Sequence, residues 1–247
     1  MSLTKVSLSN VVLMQYKYKL RAFTGVYMGL IMVQAIGILL SLGGNGGASF
    51  SNGMYTVDVT ISSSSLVIFL TMTWAFLNAV LITTKAYRED DFTFVSNRLS
   101  YNLSNIAFLI TVCVIGAVTA LLTTGITRIL TYVTTDIDFF LTFAPEITVG
   151  DYARGAIVTF LYILLSATAG YLIGMMTQFN KGLIILLPVI IIGLSVVAQS
   201  SSNPGFVNIL EFYFNEHSFT LFSIKAIVTI LIGFGISIVL SNRLEVR

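Results

Sequence analysis

Charge is scarce in this chain. Only 10% of its 247 residues are charged while 56% are hydrophobic, too few polar groups to clothe a soluble domain of this size. Cysteine and histidine occur once each. The lone Cys113 excludes an internal disulfide and reads as a small core residue. His217 has no second histidine to share a metal with, and an ordinary interfacial role suits it better. Also missing is any G-x-x-x-x-G-K-[ST] phosphate loop, and no connection is long enough to house a nucleotide-binding domain, so the chain is expected to bind no cofactor of its own. An intramembrane enzyme would need a nucleophile with its base, paired carboxylates or a metal set within the apolar runs, and none occurs there.

What the chain does have is six long apolar runs, at about 22–42, 62–82, 106–126, 156–176, 183–199 and 226–241, with no charged side chain in any of them. A bilayer core about 30 Å thick needs roughly 20 helical residues to cross. Four runs reach that length and the last two fall slightly short. The expected fold is therefore all-α: one membrane domain over 1–247 with six transmembrane helices. Ahead of the first run, Leu3, Val6, Leu8, Val11, Val12, Leu13, Tyr16 and Leu20 alternate with Ser, Asn, Gln and Lys at loosely helical spacing. This predicts an interfacial helix over about 3–20. The first apolar run is too long for a signal sequence and no convincing cleavage site follows, so it is expected to stay in the mature protein.

Basic residues set the expected orientation, because Lys and Arg near span ends are retained on the cytoplasmic side. Ten of the 13 bases fall before the first run, between the second and third, between the fourth and fifth, or after the sixth; only Arg128, Arg154 and Lys225 fall opposite. Both termini are thus expected in the cytoplasm.

The connections differ in character. On the outer side, Gly43, Gly44, Gly46 and Gly47 form a flexible link into a strand-like stretch, Met54 to Thr60. The second outer segment, 127–155, carries Asp136, Asp138, Glu146 and Asp151 without a calcium-loop pattern and reads as a solvated acidic cap. After the fifth run, Pro204 and Gly205 break the chain before an apolar stretch containing Phe212 and Tyr213. That stretch is too short to cross, which predicts a re-entrant or interfacial helix. The cytoplasmic connection 84–104 begins as a charged continuation of the second span, with Lys85 and Arg88 placed to pair with Glu89 and Asp91. Phe92, Phe94 and Val95 then put apolar side chains on a short element rimmed by charge, which marks either a partner surface or packing on the chain's own helix ends. Gly25 and Gly29 in the first run, and Gly170 and Gly174 in the fourth, are spaced for close helix approach, within the chain or between copies.

Taken together, the basic N-terminal helix, the charged extension of the second span, the stretch from Asp91 through Asn105, the short inner turn at 178–182 and the broken outer segment resemble the ABC-2 type permeases. The resemblance is one of architecture over the whole chain; only 88–105 is a local pattern. It implies a type V exporter-like permease subunit in a bacterial plasma membrane, paired with a second copy or a related chain. It also implies coupling helices that dock on a separate ATP-binding subunit, which would hold the ATP and Mg. Carried onto this sequence, Arg88, Asp91, Phe92, Phe94, Val95 and Arg98 would form the main coupling element, and Gln178 and Lys181 the second. The implied cargo is amphipathic or hydrophobic, such as a toxic or antimicrobial peptide; nothing points to nucleic acid.

Two other classes remain. An immunity or sensory subunit that transports nothing would use the same cytoplasmic surface. An ion-coupled carrier would place ionisable groups near the midplane, whereas Gln34, Thr71, Thr73, Asn78, Thr111, Thr119, Ser166, Thr168 and Ser195 are neutral and read as helix-packing contacts.

Overall fold

The computed structural model describes residues 7–43, 46–51, 56–61, 65–84, 87, 97–134, 149–178 and 218–243. The expected fifth span, the element at 88–96, Lys181 and the segment containing Pro204, Gly205, Phe212, Tyr213 and His217 lie outside them. Helix α1 (Leu8–Ala22) opens at Ser7, whose hydroxyl accepts from the Asn10 amide at 3.4 Å, and closes at Phe23, whose amide donates to the Lys19 carbonyl at 3.0 Å. After this one-residue break α2 (Thr24–Gly43) begins. Strands β1 (Gly46–Ser51) and β2 (Thr56–Ile61) then form an antiparallel hairpin with Gly46 opposite Ile61 and Ser51 opposite Thr56. Strand character at 54–60 was expected; a partner strand built from the Gly-rich link was not. Pairing satisfies backbone groups that a free link would leave to water.

Four more helices follow: α3 (Ser65–Ile82), α4 (Arg98–Thr134), α5 (Val149–Thr177) and α6 (Phe219–Arg243). Five of the helices, α2 to α6, are long and apolar enough to cross a bilayer. The chain is a helical, multi-pass membrane protein. Helices α4, α5 and α6 each start about seven residues before the apolar run that predicted them. Hydropathy marks where hydrocarbon begins, whereas a helix continues through the headgroups for as long as its backbone hydrogen bonds hold.

Side-chain pairs fix the direction of each neighbour. Against α3, α2 runs antiparallel, with Gly29 facing Trp74 and Gly37 facing Val67. Between α3 and α4 the course is again antiparallel: the Tyr101 hydroxyl donates to the Ile82 carbonyl, and Gly116 faces Thr71. Helices α3 and α5 share the most extensive interface and run parallel. Ser166 donates to the Met72 carbonyl at 2.9 Å, Gly170 packs on the Phe76 backbone and Gly174 on Thr83. Helix α6 also runs parallel to α5, with ring pairs Phe222–Tyr162 at 4.6 Å and Phe234–Tyr171 at 5.9 Å. Residues 178 and 218 therefore sit at opposite ends of the bundle. The start of α2 and the finish of α6 fall at one end, and the hairpin at the other.

Candidate functional site

Helix α1 buries two polar side chains against the bundle. Gln15 and Lys19, four residues apart and so on one face, are 1% and 0% exposed, while Leu13, Met14 and Tyr18 point away from the bundle. Lys19 enters a cage provided by the first two turns of α4. Its ammonium donates to Ser104 Oγ at 2.7 Å and to Asn105 Oδ1, and lies 5.0 Å from the Tyr101 ring centroid. Tyr101, Ser104 and Asn105 reach it together because positions i, i+3 and i+4 share a helix face. Here the cation is balanced by amide, hydroxyl and ring-face electrons, each of which favours a positive charge out of water.

From Asn105 the hydrogen bonds run on in one direction. Its Nδ2 donates to the Tyr171 hydroxyl at 3.4 Å, Tyr171 donates to Asn102 Oδ1 at 2.7 Å, and Asn102 Nδ2 donates to the Arg98 carbonyl at 2.9 Å. A head-to-tail chain polarises each member in the same sense and so strengthens its neighbours. The relay thus ties α1 to α5 and back to the first residue of α4. Two further contacts draw in α3. Tyr101 donates to the Ile82 carbonyl at 3.1 Å, and Gln178 Nε2 donates to the Thr83 carbonyl. The first carbonyl belongs to the last residue of α3 and the second to the residue just after it, where intrahelical partners run out. Phe234 of α6 packs on Tyr171. Every described helix except α2 thereby meets at this one polar cluster. Nearby, the Tyr16 hydroxyl bonds Thr111 Oγ1 at 2.8 Å. Gln15 is the exception, since neither its Nε2 nor its Oε1 has a hydrogen-bond partner among the described residues.

The neutral groups expected to glue helices divide into two sets. Gln34 reaches Thr119 Oγ1 at 2.9 Å and Thr71 Oγ1 at 3.4 Å, joining α2, α3 and α4. Thr73, Asn78 and Thr168 instead bond carbonyls of their own helices. Of the expected site residues, the structure brings Arg98, Gln178 and Gly174 to the polar cluster and leaves Gly29 and Gly170 in helix contacts within the chain. Nothing described lies within 4 Å of a Cβ added at Gly25. Sequence reasoning counted Lys19 only as a charge that sets orientation and missed the cluster. The available signal was the polar stretch Ser100, Tyr101, Asn102, Ser104 and Asn105 immediately before an apolar run, facing a Gln–Lys pair at helical spacing.

Chemically, the cluster binds and holds. Among the described residues no three His, Cys, Asp or Glu side chains gather as a metal site. The chain matches no family model, no curated protein and no solved structure.

Proposed function

We propose that this chain is the membrane-spanning permease subunit of an ATP-driven exporter of the ABC-2 type, working as a homodimer or beside a related chain in a bacterial plasma membrane. One observation supports the reading above others: both expected coupling elements lead into the same hydrogen-bonded cluster. The main element, 88–98, ends at Arg98, whose carbonyl closes the relay from Lys19, and the second begins at Gln178, which bonds the end of α3. A push on either connection would reach α1, α3, α4 and α5 together, since hydrogen bonds and close packing hold them as one piece. In this reading the end that carries Lys19 faces the cytoplasm. ATP binding draws two ATPase subunits together on the coupling elements, and the helix pairs shift between inward-open and outward-open states. ATP and Mg belong to the partner subunit. The bundle interior is apolar with scattered Thr, Ser and Asn, a lining that suits an amphipathic or hydrophobic cargo such as a peptide.

The docking surface provides the test. Replacing Phe92 and Phe94 together by Ala is expected to abolish binding or stimulation of the ATPase partner while membrane insertion and folding stay intact. Undiminished stimulation in a well-expressed double variant would remove this element from the coupling path.

A further inference from the structure

The outward face of α1 carries a pattern that the cluster behind it does not use. Leu13, Met14, Lys17, Tyr18 and Arg21 form one continuous exposed arc, with Met14 58% exposed. Helix α1 contains no acidic residue, and neither Lys17 nor Arg21 has an ion-pair partner among the described residues. Lys17 and Arg21 stand four apart, one above the other on the helix surface.

Two contacts set the depth of this arc. Lys19 meets Ser104 and Asn105, the last polar residues before the apolar run of α4 that begins at Ile106. The final turn of α1 therefore lies at the boundary between headgroups and hydrocarbon. Tyr16 meets Thr111 and the Phe23 ring meets Phe108, both inside that run, so α1 lies along the boundary with Leu13 and Met14 exposed on its outer face. At this boundary two bases stand beside exposed apolar side chains on one face of α1, an arrangement that matches a phospholipid with an anionic head.

We propose that α1 carries a binding site for an anionic phospholipid, its phosphate held between Lys17 and Arg21 and its acyl chain lying along Leu13 and Met14. The site stands independently of the permease reading, because it uses only α1 and its seating on α4. Each base near an anionic surface adds about 1 kcal/mol of attraction, so loss of both weakens binding about thirtyfold.

The test uses the purified full chain in mild detergent, with thermal unfolding followed while phosphatidylglycerol, phosphatidylcholine or inorganic phosphate is titrated in. Phosphatidylglycerol should raise the unfolding midpoint at concentrations where phosphatidylcholine does not. The K17Q/R21Q variant should start from the wild-type midpoint and need about thirtyfold more phosphatidylglycerol for the same rise. The K17R/R21K variant, which keeps both charges, should respond as the wild type does. Equal responses to the two lipids, or a full response in K17Q/R21Q, would overturn the proposal. An equal response to inorganic phosphate would overturn it too, by reducing the site to one for a free anion.

Discussion

Lys19 and Gln15 share one buried face of α1 but stand in opposite states. The ammonium has its acceptors in Ser104 and Asn105, whereas the amide has no hydrogen-bond partner among the described residues. A buried polar group that lacks a partner costs about 1–3 kcal/mol, and removing one side of a made pair costs a similar amount. The two positions should therefore respond with opposite sign. Lys19→Met is expected to destabilise the chain by about 1–3 kcal/mol, because Ser104 and Asn105 lose their donor, and Gln15→Leu to leave stability unchanged or raise it. Thermal unfolding of both variants in one detergent checks the pair; a loss of stability in Gln15→Leu equal to that in Lys19→Met would contradict the assignment. Neither role was legible in the sequence. Composition along α1 shows Gln15 and Lys19 as polar residues on a basic, loosely amphipathic helix, and only the position of α4 reveals that they face protein. Cys113 shows the converse, since its place inside an apolar run is enough to mark it as buried, as it is.

Between elements, the tightest observed fit is α3 on α5. A Cβ at Gly170 would collide with the Phe76 carbonyl oxygen, and one at Gly174 with the Thr83 hydroxyl. Backbone cannot yield as a flexible side chain does, so Gly170→Ala should force the helices apart and cost about 1–3 kcal/mol. Gly25→Ala meets nothing within 4 Å and should be tolerated to within about 0.5 kcal/mol. Melting curves of the two variants measure the contrast, and equal midpoints would mean that α3 and α5 do not pack this closely. Spacing alone made the two glycine pairs look alike; the difference lies in which helix each one faces, and that is a property of the fold. Helix existence was legible for the described spans because hydrophobic length is a direct consequence of bilayer thickness. Helix ends were less so, since Ser100, Asn102 and Ser104 continue α4 outward by bonding carbonyls three or four residues back rather than by being apolar.

For the whole molecule, parallel courses of α3, α5 and α6 set the two ends of the connection 178–218 apart, and bring the start of α2 and the finish of α6 to one end. The polar cluster joins α1, α3, α4 and α5 by hydrogen bonds where the expected coupling connections enter. Its relation to those connections was invisible in the sequence, because Lys19, Thr83, Asn105 and Tyr171 are far apart along the chain and converge only once α1, α3, α4 and α5 have packed. The central claim is that such a bundle moves cargo with energy from a separate ATPase. It is tested most directly by recovering the tagged chain from its native membrane in mild detergent, identifying what accompanies it by mass spectrometry, and assaying the eluate for ATP hydrolysis. The account predicts a stoichiometric ATP-binding subunit with vanadate-sensitive turnover; a chain recovered alone across several gentle detergents would contradict it.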